Sequence, residues 1–139
     1  MSAIATPLIT LVEDNPADVY MFRRALSEKG VGFQLTHLAD GEAAVAAFSR
    51  INKDVDAPLP DLVVLDLNLP KIGGIEVLSQ MRQLSRLRQV PVAILTSSTS
   101  PVEMRTAYEL GAVQYLRKPT MLDEFLEHVG QGVKDLLVD

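Results

Sequence analysis

The sequence predicts an α/β domain in which helices cover both faces of a parallel five-stranded sheet. Five short apolar runs alternate along the chain with five segments of helical periodicity, which is the order of a doubly wound fold. The run Leu62–Leu65 is continuously apolar, as expected of a strand buried on both faces. The chain has 139 residues, of which 47% are hydrophobic, so one domain with a sizeable core is expected.

The first three strand–helix units follow in order. Their strands are predicted at Leu8–Val12, Phe33–Leu38 and Leu62–Leu65. Asn15 is a favourable N-cap for the first helix, Pro16 suits its first position, and Gly30 ends it. Asp40 caps the second helix, and the proline-containing stretch 52–60 is a surface loop. A glycine-containing loop leads into the third helix, whose inward side chains are Val77, Leu78 and Met81.

The last two units carry similar local signals. Their strands are predicted at Val90–Leu95 and Val113–Leu116, and Pro91 suits the start of a strand better than its middle. The stretch Ser100–Glu103 is a capping box for the fourth helix, which Gly111 ends. Thr120 is predicted to cap the fifth helix, whose apolar face comprises Leu122, Phe125, Leu126, Val129, Val133 and Leu136.

Composition excludes several classes of site. Cysteine is absent and only His37 and His128 supply imidazoles, so neither a disulfide nor a multi-histidine zinc site is expected. The net charge is -5 and no basic stripe is visible, which argues against a nucleic-acid interface. No apolar run approaches the ~20 residues of a membrane span. Residues 1–8 lack the basic and apolar parts of a signal peptide, so a cytoplasmic location is expected.

Polar and charged side chains follow four of the five predicted strands. Glu13 and Asp14 follow the first strand, Asp66 the third, Thr96 the fourth, and Lys118 lies just beyond the fifth. Ligands of open α/β sheets bind at the carboxyl ends of the strands. If the first and third strands are neighbours, three carboxylates meet at one edge of the sheet.

Such a group of carboxylates needs compensating charge. Two like charges ~4 Å apart cost about 4 kcal/mol at an effective dielectric of 20, so the site must raise a pKa or recruit a cation. Lys118 supplies one positive charge, and the oxygen ligands suit a hard cation such as Mg²⁺. A divalent ion, a lysine and a hydroxyl around an aspartate are what phosphoryl transfer to a carboxylate requires.

Five motifs in order resemble the receiver domain of two-component response regulators. They are Val12–Asn15, Leu65–Pro70, Gly73–Gly74, Leu95–Ser98 and Tyr115–Pro119. The resemblance implies a flavodoxin-like fold with strand order 2-1-3-4-5, one receiver domain over residues 1–139, and no output domain. It also implies a signalling protein rather than an enzyme, one that catalyses only its own phosphorylation and dephosphorylation.

The resemblance implies roles for particular residues. Asp66 is the expected phosphoacceptor, and the expected Mg²⁺ ligands are Glu13, Asp14, Asp66 and the backbone carbonyl of Asn68. Thr96 and Lys118 are expected to bind the phosphoryl group, and Tyr115 is the expected aromatic switch, turning inward when the threonine moves. Ser97 and Ser98 are candidates for tuning the access of hydrolytic water. A cis Lys118–Pro119 bond is also implied.

The stretches 13–18 and 66–71 further resemble the small regulators that partner bacterial phytochrome histidine kinases. This implies a histidine kinase partner, a downstream protein partner, and a homodimer through the fourth helix, fifth strand and fifth helix. The alternative is a phosphorelay intermediate that passes the phosphoryl group to a histidine phosphotransfer protein. A haloacid-dehalogenase-type phosphatase would need a second aspartate where Asn68 stands, and no glycine-rich dinucleotide loop follows the first strand.

Overall fold

A computed structural model describes residues 6–137 and contains one parallel sheet within that range. The strand order is β2-β1-β3-β4-β5, which confirms the predicted doubly wound topology. The strands are β1 (Leu8–Val12), β2 (Gln34–Leu38), β3 (Leu62–Leu65), β4 (Val92–Thr96) and β5 (Gln114–Arg117). The helices are α1 (Pro16–Glu28), α2 (Gly41–Lys53), α3 (Gly74–Gln83), α4 (Pro101–Glu109) and α5 (Leu122–Leu137).

Three predicted helix caps are confirmed by hydrogen bonds. The Asn15 side chain accepts from the Ala17 N–H at 2.9 Å, and Asp40 accepts from the Ala43 N–H at 2.7 Å. Ser100 accepts from the N–H of the third helical residue of α4 at 3.2 Å. Each cap satisfies a backbone donor that has no partner within its helix. Gly30, with φ of 73°, follows the end of α1 as predicted.

The register of the sheet aligns the ends of the strands that precede the polar residues. Val12 at the end of β1 pairs with Leu65 at the end of β3. β3 pairs in turn with β4, and Thr96 at the end of β4 pairs with Arg117 at the end of β5. The residues that follow β1, β3 and β4 therefore reach the same edge of the sheet.

Two apolar clusters pack against the two faces of the sheet. Helices α2 and α3 contribute Phe48, Leu78 and Met81 to one cluster. Helices α1 and α5 contribute Phe22 and Phe125 to the other. All five side chains are at most 1% exposed. The central strand β3 is buried along its whole length, as its continuous apolar run predicts.

The boundaries of β4 and β5 differ from the prediction. β4 begins at Val92 rather than Val90, because the Val90 N–H donates to the Leu87 carbonyl in a turn and the Val90 carbonyl accepts from Arg82. β4 also includes Thr96, whose carbonyl accepts from the Lys118 N–H at 2.9 Å. β5 is correspondingly shifted by one residue, to Gln114–Arg117. β2 begins one residue later than predicted.

Four expectations about helices and backbone are wrong. Helix α2 extends to Lys53, two residues into the predicted loop. Helix α5 begins at Leu122, so Met121, not Thr120, precedes it, and the Met121 carbonyl accepts the Phe125 N–H. Leu122 is 43% exposed rather than part of the buried face. The Lys118–Pro119 bond is trans, the form that X–Pro bonds ordinarily favour.

Among residues 6–137, none of the helices combines the length and the apolar character needed to cross a bilayer.

Candidate phosphotransfer site

Three carboxylates meet at the carboxyl edge of the sheet. Oxygens of Glu13, Asp14 and Asp66, one from each residue, all lie within 4.8 Å of one another. Glu13 and Asp66 are buried, whereas Asp14 is exposed. The prediction that the first and third strands bring these side chains together is confirmed. We call these three residues the acidic cluster.

Backbone hydrogen bonds fix the positions of the two buried carboxylates. The Glu13 N–H donates to the Leu38 carbonyl at 3.0 Å, and the Asp66 N–H donates to the Val12 carbonyl at 3.1 Å. Both residues therefore continue the sheet pairing by one position. The Asn68 N–H donates to Asp66 Oδ1 at 3.0 Å, which holds the carboxylate within the turn that follows β3.

Gly74 allows helix α3 to approach Asp66 closely. A Cβ atom at position 74 would lie 2.2 Å from the Asp66 carbonyl oxygen and 2.6 Å from Leu67 Cα. Both are backbone atoms, so they cannot rotate away. The preceding Gly73 meets nothing closer than 3.9 Å. Of the two glycines in the predicted motif, Gly74 is therefore the one that the packing requires.

Lys118 joins the two buried carboxylates of the acidic cluster. Its Nζ lies 2.8 Å from Glu13 Oε1 and 2.9 Å from Asp66 Oδ2. The Lys118 side chain is 11% exposed, so solvent screens these ion pairs less than it would on the surface. The predicted positive charge beside Asp66 is confirmed by this geometry.

The site raises the pKa values of both Glu13 and Lys118, which favours the neutral carboxylic acid and the charged ammonium. Burial raises the pKa of Glu13 to about 7, and the Asp66 charge adds to the rise although Lys118 opposes it. Burial alone would lower the pKa of Lys118, but hydrogen bonds to Asp18, Glu13 and Asp66 outweigh it and raise that pKa. Lys118 therefore stays positively charged at neutral pH, while metal-free Glu13 exchanges a proton there.

Sequence reasoning missed Asp18. This residue lies in the first turn of α1, and its Oδ2 accepts from Lys118 Nζ at 2.8 Å. The signal that could have found it is its place in the chain, since α1 begins directly after the acidic pair. An acidic residue in a first helical turn is usually explained by the helix dipole alone.

Thr96 and Tyr115 are both bonded to the loop between β4 and α4. The Thr96 hydroxyl oxygen, which is fully buried, accepts from the Ser98 N–H at 3.2 Å. The Tyr115 hydroxyl donates to the Ser98 carbonyl at 3.2 Å. The two predicted switch residues are thus bonded to the same residue, and no bond joins them directly. Ser97 is exposed.

Ser98 is also bonded to helix α4. Its hydroxyl donates to the Glu103 carboxylate, and the Ser100 N–H donates to its oxygen at 3.2 Å. In a simple capping box the Glu103 carboxylate would bond to the Ser100 N–H directly. Here the Ser98 hydroxyl stands between them, so the start of α4 is coupled to the loop that follows Thr96.

The donor set of the acidic cluster fits a hard divalent cation. It offers carboxylate oxygens, and within the described part of the chain the cluster contains neither histidine nor cysteine. Glu13 and Asp66 also contact Lys118, so a cation and the ammonium would share the same two carboxylates. The protein therefore contains a site able to hold a divalent metal ion.

Two sizeable cavities lie away from this site. They measure about 500 and 530 Å³ and both are lined by Arg88, Gln89, Val90 and Pro91, at the amino ends of the strands. The acidic cluster, by contrast, opens on the surface at the opposite edge.

Comparison with known proteins agrees with the geometry. The family model described as the response regulator receiver domain matches residues 9–130. A probable methanogenesis regulatory protein, FilR2 of Methanothrix harundinacea, is 41% identical over 128 residues, covering 92% of this chain and 81% of the relative. Response regulator Rcp1 of Synechocystis is 35% identical over 132 residues, covering 95% of this chain and 89% of Rcp1.

Solved structures show the same fold. The phosphorylated cyanobacterial phytochrome response regulator RcpA superposes with a TM-score of 0.86 at 32% identity, covering 96% of this chain and 95% of RcpA. The Mn²⁺-bound form of Rcp1 gives a TM-score of 0.84 at 34% identity with the same coverage. With its acidic cluster, its lysine and its strand order, this chain belongs to the response regulator receiver domain family, the signalling domains of two-component systems.

Proposed function

We propose that this chain is a phosphorylation-controlled switch that accepts a phosphoryl group on Asp66 from a histidine kinase. The proposal rests on the charged groups that surround the Asp66 carboxylate. Lys118 Nζ lies 2.9 Å from one of its oxygens, and Glu13 and Asp14 hold carboxylates within 4.8 Å. This exchange belongs in the cytoplasm, where ATP-dependent kinases act.

The transfer replaces one bond to phosphorus by another. An Asp66 carboxylate oxygen forms a bond to the phosphorus while the P–N bond of the donor phosphohistidine breaks. The electron pair of that bond stays on the imidazole nitrogen, which takes up a proton. Lys118 neutralises charge on the phosphoryl oxygens, and the Thr96 hydroxyl, at the end of the neighbouring strand β4, donates a hydrogen bond to them.

Mg²⁺ is the proposed cofactor. Its ligands would be the carboxylates of Glu13, Asp14 and Asp66 together with the Asn68 backbone carbonyl. When bound, the ion neutralises charge that develops on the transferring phosphoryl group. Asp14 suits the role of a direct ligand because it is exposed and does not contact Lys118. Glu13 must lose its proton to bind, since burial raises its pKa to about 7.

The switch acts through Ser98. Once Thr96 turns its hydroxyl to the phosphoryl group, its bond to the Ser98 N–H at 3.2 Å is released. The Tyr115 hydroxyl and Glu103 hold the same residue, so the loop and the start of α4 respond together. Phosphorylation selects the active state to the extent that the phosphoryl group binds better to it.

The surface formed by α4, β5 and α5 is the proposed output. Large apolar side chains are exposed on α4, with Val102 63% and Tyr108 45% exposed, and directly before α5, where Met121 is 64% exposed. Exposed aromatic and methionine side chains are enriched at protein interfaces. We propose that phosphorylation controls the binding of a downstream protein, or of a second copy of this chain, at this surface.

A phytochrome is the proposed kinase. The support is the likeness to RcpA, a phytochrome response regulator whose structure covers 96% of this chain.

The relatives are named as response and regulatory proteins, which favours a terminal regulator over a phosphorelay intermediate. Mixing the purified chain with a radiolabelled phytochrome kinase tests this partner, and transfer from only non-phytochrome kinases would contradict it.

Phosphorylation itself can be tested without a kinase. The chain is incubated with acetyl phosphate and Mg²⁺, and its intact mass is measured beside Asp66→Asn and a sample with chelator. We expect one phosphoryl group in the wild-type protein, and none in the variant or after chelation. Wild-type protein that gains no phosphoryl group and binds no beryllofluoride would contradict the proposed function.

A further inference from the structure

Asp18 contacts the phosphotransfer site from helix α1, outside the acidic cluster. Its Oδ2 lies 2.8 Å from Lys118 Nζ, which equals the distance of Glu13 Oε1. The Asp18 side chain is 15% exposed, so the ion pair is partly shielded from solvent. The contact ties the first turn of α1 to the residue that follows β5.

We propose that Asp18 is a positioning residue that holds the Lys118 ammonium in place while the phosphoryl group is transferred to Asp66. The inference rests on the proposed function of Asp66. The Lys118 ammonium group donates to Asp18 and Asp66 and forms an ion pair with Glu13, so three carboxylates surround it. The position of Nζ is therefore set by three residues rather than by one ion pair.

Two of these three acceptors change during the reaction. Asp66 becomes an acyl phosphate, so Lys118 must transfer its hydrogen bond from the carboxylate to a phosphoryl oxygen. Glu13 belongs to the acidic cluster, whose oxygens would turn toward a bound cation. Asp18 changes in neither step. Its bond keeps Lys118 at the edge of the sheet while the other two partners rearrange.

Asp18 also affects how strongly Glu13 and Asp66 can bind a metal ion. With Asp18 present, Lys118 pairs with three carboxylates. Without Asp18, Lys118 would pair only with Glu13 and Asp66, and these are the carboxylates that a cation needs. Removing Asp18 should therefore weaken Mg²⁺ binding as well as slow phosphoryl transfer.

The experiment compares wild-type protein with Asp18→Ala, Asp18→Asn and the control Asp123→Ala. Asp123 is an exposed acidic residue in the first turn of α5, so its removal reproduces any loss of helix-dipole stabilisation. Initial phosphorylation rates are measured by intact mass over a range of acetyl phosphate concentrations in saturating Mg²⁺. Mg²⁺ affinity is measured separately by calorimetry.

We expect Asp18→Ala to lower the maximal rate about tenfold, as loss of a partner behind a site residue commonly does. The acetyl phosphate concentration at half the maximal rate should stay unchanged, because Asp18 acts on Lys118 rather than on the donor. Asp18→Asn retains an acceptor oxygen without the charge, so it should recover part of the rate while still binding Mg²⁺ more weakly. Asp123→Ala should behave as wild type.

Several results would overturn the proposal. One is a wild-type maximal rate in Asp18→Ala, and another is an equal loss in the Asp123→Ala control. If circular dichroism shows Asp18→Ala to be unfolded, Asp18→Asn decides, and wild-type Mg²⁺ affinity in that variant would refute the inference. Wild-type protein that takes no phosphoryl group would instead contradict the proposed function of Asp66.

Discussion

Replacing Lys118 by Met should destabilise the protein strongly without metal and weakly with it. Lys118 Nζ lies between Glu13 Oε1 and Asp66 Oδ2, and the side chains of the three residues are at most 11% exposed. Its removal leaves two buried carboxylates with oxygens within 4.8 Å. At that separation their repulsion is about 3.5 kcal/mol at an effective dielectric of 20. Breaking a buried ion pair from one side typically costs about 3–5 kcal/mol.

The expected loss is therefore about 3–5 kcal/mol, a large part of the roughly 5–15 kcal/mol that stabilises a domain. Urea unfolding at pH 8, above the wild-type Glu13 pKa of about 7, measures it with and without Mg²⁺. We expect Mg²⁺ to restore about half of the loss or more, because the cation neutralises the same carboxylates and no longer competes with an ammonium.

Lys29→Met is the matched control. Lys29 pairs with Glu127 at 2.6 Å, but that glutamate is 70% exposed and the pair lies at the other end of α1. Such a pair contributes about 0–1 kcal/mol, and its loss should not depend on Mg²⁺. If Lys118→Met and Lys29→Met lose similar stability, or if Mg²⁺ stabilises Lys118→Met no more than wild type, the electrostatic account of the site is wrong.

Three further predictions concern Glu13 in the site, the close packing at Gly74 and the hydrogen bonds of Arg82. Burial raises the pKa of Glu13 from 4.5 to about 7, so the metal-free protein should lose stability as the pH rises through that interval. Its Mg²⁺ affinity, measured by calorimetry, should rise from pH 6 to 8. In Glu13→Gln the Mg²⁺ affinity should not change over that pH range. Gly74→Ala should cost about 1–3 kcal/mol in urea unfolding, while Gly73→Ala, with 3.9 Å of clearance, changes little; equal losses would refute the close-packing argument. Arg82 donates to five backbone carbonyls, so Arg82→Ala should lower the free energy of unfolding by about 2–4 kcal/mol, whereas Arg88→Ala at an exposed position should lower it by under ~0.5 kcal/mol. Arg82→Lys should not restore this stability in thermal unfolding, because an ammonium group lacks the guanidinium geometry. Full recovery in Arg82→Lys would contradict that role.

The fold was predictable because its signals are local. Alternating apolar runs give the sheet, and the caps Asn15, Asp40 and Ser100 mark helix starts through bonds to residues two or three positions away. The shifted start of β4 was not predictable in this way. Val90 is held in a turn by Arg82, and that bond depends on the packing of α3 beside the chain that precedes β4.

The acidic cluster was predictable from topology, since residues that follow neighbouring parallel strands share an edge. Asp18 was not, because its partner Lys118 is 100 residues away and only the packed structure joins them. The role of Ser98 was missed for a related reason. Its four bonds depend on the conformation of a loop, and loop conformation leaves little pattern in a sequence.

The central claim is that Asp66 carries the phosphoryl group, and chemical mapping tests it most directly. After incubation with acetyl phosphate and Mg²⁺, borohydride reduces an acyl phosphate to an alcohol and so converts the modified aspartate to homoserine. Peptide mass spectrometry then locates the converted residue. The structure predicts homoserine at position 66, in a yield that follows the phosphorylated fraction and disappears with chelator. Homoserine at Asp14 or Asp18, with Asp66 unmodified, would contradict the account.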